Sequence, residues 1–125
     1  MRLLARAELV QWYGLFGAAL AWTGQHVVGF GAAYADCLDA SRHWGLDPVI
    51  WISVLTAVGL AFALLAEGAA LKVLRDTRQV EYDDAPPLGR RHFFAYAAAL
   101  GNVLFIWLIL LDFVGLVANT TCRPA

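Results

Sequence analysis

The chain has 125 residues, of which 61% are hydrophobic and only 15% charged, well below the roughly 25% charged residues of soluble domains. A formal net charge of -1 excludes a general attraction to nucleic acid, and the length leaves no room for a soluble catalytic domain beside membrane spans. The apolar excess falls in three long runs, so the expected fold is all-α: a single integral membrane domain over residues 1–125 with three transmembrane helices.

Residues 1–8 are a short lead carrying Arg2, Arg6 and Glu8. The first span is expected over residues 9–35, a run without Asp, Glu, Lys or Arg. About 20 helical residues cross a hydrocarbon core of ~30 Å, so this run is long enough to span with tilt. It is also longer than the 7–15-residue apolar region of a signal peptide, so it is expected to be retained even though Ala33-Tyr34-Ala35 has the small-x-small pattern of a cleavage site. Trp12, Tyr13 and Tyr34 stand near its ends, as interfacial anchors do. Gly14, Gly17, Ala21 and Gly29 recur at helical spacing and form a seam that another backbone can approach.

Residues 36–47 form a polar outer loop. Asp47 and Pro48 read as N-cap and first helical residue of the second span, expected over 48–71 with Glu67 as its one charge. Residues 72–91 carry Lys72, Arg75, Arg78, Arg90 and Arg91 among Glu81, Asp83, Asp84 and Pro86-Pro87. They read as a cytoplasmic linker whose first part continues the second helix. The third span is expected over 92–118 and contains Asn102, Trp107 and Asp112.

Seven of the nine Lys and Arg residues fall on the side of residues 1–8 and 72–91, and only Arg42 and Arg123 on the other. The positive-inside rule places the N-terminus in the cytoplasm and the C-terminus outside, in the cell inner (plasma) membrane. Cys37 and Cys122 then share the outer side, where a disulfide between them is expected in an oxidising compartment.

That bridge would bring two polar residues level. His26 precedes Cys37 by 11 positions and Asp112 precedes Cys122 by 10, which at 1.5 Å per residue is ~16 Å and ~15 Å below it. A carboxylate in hydrocarbon costs at least ~2.5 kcal/mol and should find a partner, so a His26–Asp112 contact is expected. It is either an interhelical bond that sets register or part of a proton relay. Gln25, Glu67 and Asn102 are the other inward polar residues. Glu67 is expected to turn toward Lys72 and the inner interface, with an approach to Asn102 as the other arrangement. Asn102, Ile109 and Asp112 fall within about 80° of helix surface and should face protein, whereas Trp107, about 140° from Asp112, should face lipid or a partner.

No cofactor is expected. His26, His43 and His92 stand at different depths and the one methionine is Met1, so no pair of haem ligands lies level, and no C-x-x-C-H is present. Asp36, Cys37, Asp39, His43 and Asp47 in the outer loop match no standard metal-ligand spacing, so no metal is expected. No phosphate-binding loop, G-x-S-x-G or H-E-x-x-H occurs, Ser41 and Ser53 have no evident base, and no catalytic residue is expected.

The first span, with Gly14, Gly17, Ala21-Trp22, Gln25, Gly29 and the outer Cys37, resembles small bacterial membrane proteins associated with haem–copper oxidase or other respiratory-chain complexes. The resemblance implies an accessory, supernumerary subunit without a redox centre of its own and carries no catalytic residues. The expected function is therefore a non-catalytic accessory subunit of a larger membrane complex, docking on other subunits and lipid through Gly/Ala seams, with no soluble small-molecule substrate. The alternative is a small oligomeric transporter or proton-conducting protein using His26, Asp112 and Glu67.

Overall fold

A computed structural model describes residues 2–38, 47–81 and 83–118, the side chains of residues 2–5 aside. It contains three helices: α1 (Arg2–Asp36), α2 (Pro48–Asp76) and α3 (Leu88–Ala118).

Each boundary has a local cause. α1 contains no proline and ends in a turn, with the Cys37 and Leu38 amides donating to the Tyr34 and Ala35 carbonyls. Asp47 caps α2 by accepting from the Val49 amide at 2.8 Å, and Pro48 occupies the first turn, where an amide hydrogen is not needed. α2 stops at Thr77, whose amide and hydroxyl both donate to the Val73 carbonyl, at 3.0 and 2.8 Å. α3 starts immediately after Pro86-Pro87.

The contacts set the topology. Gly14 of α1 lies against Ala70 of α2, and Gln25 lies against Thr56, so these helices run antiparallel. Gly14 meets Asn102 of α3, His26 meets Asp112, and Gly29 meets Leu116, so α1 and α3 run parallel. Thr77 meets His92, which closes the pair α2 and α3. All three helices touch one another.

The buried residues of α2 are Ile52, Thr56, Gly59, Ala63, Ala66 and Ala70. They alternate four- and three-residue steps, the 3.5-residue repeat that holds one seam against its neighbours in a left-handed bundle. Small residues fill that seam. Ala18, Ala63, Ala66 and Ile109 form one fully buried cluster, and Ala70, Ala98 and Ala99 a second. The large apolar side chains point the other way: Leu100, Leu104, Trp107, Leu111 and Val114 of α3 and Val54, Val58, Phe62 and Leu65 of α2 are all exposed. Small inside and large outside inverts a water-soluble core and suits lipid, where helices gain from close backbone approach rather than from hiding bulk.

α2 and α3 are long and apolar enough to cross a membrane, and only 28% and 11% of their most apolar segments is buried in the bundle. α1 departs from the expectation of three such helices. It is the longest element but does not reach that level of apolarity. Its run lacks charge, but Gln25 and His26 sit in its second half, the helix holds five glycines, and an uncharged helix is not thereby an apolar one.

Candidate functional site

The polar residues inside the bundle form two layers, an outer one toward the C-terminal end of α3 and an inner one toward its N-terminal end. The outer layer centres on Asp112. Its Oδ2 accepts from the Trp22 indole Nε1 at 2.9 Å and lies 2.9 Å from His26 Nδ1. Trp22 and His26 are one helical turn apart on α1, so both reach the same carboxylate across the α1–α3 groove. Their rings are 5.5 Å apart, and Trp22 also packs on Phe105 at 5.7 Å. The group is open on one flank, since the His26 side chain is 50% exposed and that of Asp112 22%. Behind it, Gln25 is buried. Its Nε2 donates to Thr56 Oγ1 at 3.2 Å and to the Ile109 carbonyl at 3.5 Å, while its Oε1 is buried without a partner.

The inner layer centres on Asn102, which is 1% exposed. Its Nδ2 donates to the Gly14 carbonyl at 2.9 Å. Gly14 is a required glycine: a Cβ there would stand 2.9 Å from the Ala70 amide nitrogen and 3.1 Å from its Cα, both backbone atoms. Removing that methyl lets α1 and α2 touch and presents the Gly14 carbonyl to α3. Glu67 faces Asn102 in side-chain hydrogen-bonding position, and its Oε2 is buried without a partner. The expected turn of Glu67 toward Lys72 is therefore corrected: Lys72 pairs with Asp76 instead, Nζ to Oδ2 at 2.8 Å. The reason is register. Asp76 is one turn beyond Lys72 on the same helix face, whereas Glu67 is five residues before it and aligned with Asn102.

The layers are about 15 Å apart along α3, from Asn102 to Asp112. Between them lies the cluster of Ala18, Ala63, Ala66 and Ile109, all 0% exposed. No hydrogen-bonded chain among the described residues joins one layer to the other.

Of the residues singled out in the sequence, His26 and Asp112 come together, Glu67 and Asn102 come together, and Gln25 joins the first pair's layer without touching it. Three participants carried no distinct sequence signal: Trp22, the Gly14 carbonyl and Thr56. Trp22 at four residues before His26 and Thr56 on the 3.5-residue repeat of α2 were the available clues. Cys122, Asp39 and His43 lie outside the described residues, and with them the expected bridge to Cys37; of the other loop metal candidates, Asp36 and Cys37 stand at the end of α1 and Asp47 caps α2. Ser53 donates to the Val49 carbonyl of its own helix at 2.7 Å. Among the described residues no group of three or more His, Cys, Asp or Glu is placed to hold a metal ion. No family model, curated protein or solved structure matches this chain.

Proposed function

We propose that the chain is an integral protein of a bacterial inner membrane with three spans, N-terminus in the cytoplasm and C-terminus outside, and that it serves as a non-catalytic accessory subunit of a larger membrane complex. The observation that carries this reading is the half-open group of Trp22, His26 and Asp112. It lies near mid-depth on a helix pair whose neighbouring surface is apolar, and a carboxylate left toward hydrocarbon costs at least ~2.5 kcal/mol. A helix of another subunit laid over this flank would remove the exposure and find a half-open polar patch to bind. The exposed Phe30 and Val27 beside His26 would supply the apolar part of the same contact.

The orientation rests on the Lys and Arg distribution, and α1 as a third span on its length and its packing between the other two. The Cys37–Cys122 bridge is part of the proposal. It is supported by the parallel course of α1 and α3 and by the absence of a free cysteine among the described residues. A respiratory-chain host is proposed from the resemblance of the first span. The proton-conducting alternative needs a polar path, and the alanine cluster between the layers weighs against one.

Purification from native membranes tests the reading. The chain is expected to comigrate with a larger assembly, and His26→Leu with Asp112→Leu should release it while the chain itself stays folded. A self-contained homo-oligomer that conducts protons would replace this reading with transport. Thiol alkylation without reductant, followed by mass measurement, tests the bridge: two modified cysteines would remove it.

A further inference from the structure

A second feature lies at the opposite end of the bundle from His26. A cleft of about 300 Å³ opens there between all three helices, with Arg6 and Gln11 from α1, Lys72 and Asp76 from α2 and Arg91 from α3 on its walls. Val10 and Val73 make its apolar side. Each of the three cations stands where a long apolar run meets polar chain: Arg6 before residue 9, Lys72 after residue 71, Arg91 before residue 92. On the membrane reading, which this inference rests on, that is the depth of the lipid headgroups. Lys72 is held by Asp76, but among the described residues neither Arg6 nor Arg91 is in an ion pair. Two unneutralised guanidinium groups from different helices thus face one cleft, and guanidinium forks match phosphate oxygens two at a time. Thr77, at the end of α2, also lines the cleft, with its hydroxyl 3.0 Å from His92 Nδ1.

We propose that this cleft binds the phosphate of an anionic membrane phospholipid, with Arg6 and Arg91 as the phosphate ligands, Lys72 as a third cation and the acyl chains along the exposed apolar flanks of the helices. Basic pockets between spans on the cytoplasmic side are suited to such headgroups, and a soluble phosphate ester shares the headgroup chemistry without the tails. The tails decide between the two sources. Val10, one helical turn from Arg6 into the apolar run, gives a lipid added contact that a free phosphate cannot use.

The test uses the full chain in neutral detergent micelles, read by native mass spectrometry with one added compound at a time: phosphatidylglycerol, phosphatidylcholine or glycerol phosphate. Phosphatidylglycerol is expected to stay bound where the other two do not, and its retention should fall as ionic strength rises. Arg6→Gln with Arg91→Gln should weaken it about 30-fold, at about fivefold per cation. Arg75→Gln, the same charge change on α2 outside the cleft, should leave it unchanged, and Arg6→Lys with Arg91→Lys should recover part of the loss. Equal retention of phosphatidylcholine, or unaltered binding in the double Gln variant, overturns the proposal; equal retention of glycerol phosphate overturns a lipid as the ligand. If the double variant does not fold, the salt dependence of the unaltered chain decides in the same sense. Flotation of the chain with phosphatidylcholine vesicles tests the membrane reading separately. A chain that floats but shows no preference for the anionic lipid fails this proposal alone.

Discussion

The two polar layers solve the same problem in opposite ways. Around Asn102 the three backbones close on one another: a glycine on α1, an alanine on α2 and an amide side chain on α3 fill the space, and almost nothing is exposed. Around Asp112 the side chains that meet are large, and one flank stays open. The inner layer therefore works as the fastening of the bundle, and the outer layer as a surface. On the proposed membrane reading the contrast is sharper, because helices in hydrocarbon gain little from burying bulk and most from close approach and shared hydrogen bonds.

The comparison is broken most directly at Gly14. A methyl there meets backbone that cannot swing aside, so Gly14→Ala should lower stability by about 1–3 kcal/mol, and Gly14→Leu by more. Denaturation of the purified chain in micelles measures this. Gly24 is the control on the same helix. A Cβ at that position meets nothing within 4 Å, so Gly24→Ala should be neutral or slightly stabilising, since alanine restricts the unfolded chain. Equal effects at the two glycines would remove the fastening role.

Next in size is Asn102→Leu, which keeps the volume but deletes the bond to the Gly14 carbonyl and the contact with Glu67. Interhelical hydrogen bonds in membranes average ~0.6 kcal/mol and reach ~1.7, and the complete burial of Asn102 places this one near the upper end. Asp112→Leu removes an acceptor shared by Trp22 and His26, but in a layer already open on one side, and is expected near the average. A larger loss at Asp112 than at Asn102 would reverse the ranking of the layers.

Much of this arrangement was legible in the residues, for definite reasons. Asp47-Pro48 is a local start signal and caps α2 as read. The level placement of His26 and Asp112 was counted from the expected Cys37–Cys122 bridge, with two residue counts and a fixed rise per residue. The seam of Gly14, Gly17 and Gly29 was visible as spacing, and its two partners, α2 at Gly14 and Gly17 and α3 at Gly29, were not. What stayed hidden depends on tertiary register. A carbonyl acceptor such as that of Gly14 carries no side-chain signature, since every residue has one. Trp22 entered the sequence reading only among the residues that carry the first-span resemblance, and its donor role appears only when α3 brings a carboxylate to it. Glu67 had two partners within reach along the sequence, and the choice was made by Asn102 on another helix and by Asp76 taking Lys72. The apolarity of α1 was overread because charge was counted where polarity mattered: Gln25 and His26 are not among the Asp, Glu, Lys and Arg that were counted, yet they lower the run below that of its neighbours.

The smallest expected effect on stability bears most on function. Asp112→Asn keeps an oxygen in place to accept from the Trp22 indole and to meet a His26 that donates from Nδ1. If the layer is a docking surface, the amide preserves its bonding pattern. The loss of stability should then fall within about 0.6 kcal/mol, and comigration with the larger assembly should persist. What the amide cannot do is take up and release a proton. A complex that assembles normally with Asp112→Asn yet loses proton-coupled turnover would show the carboxyl group to be a relay, and the open flank would then be a port rather than a contact. Retained turnover together with retained assembly leaves the carboxylate its two bonds and the flank its partner helix.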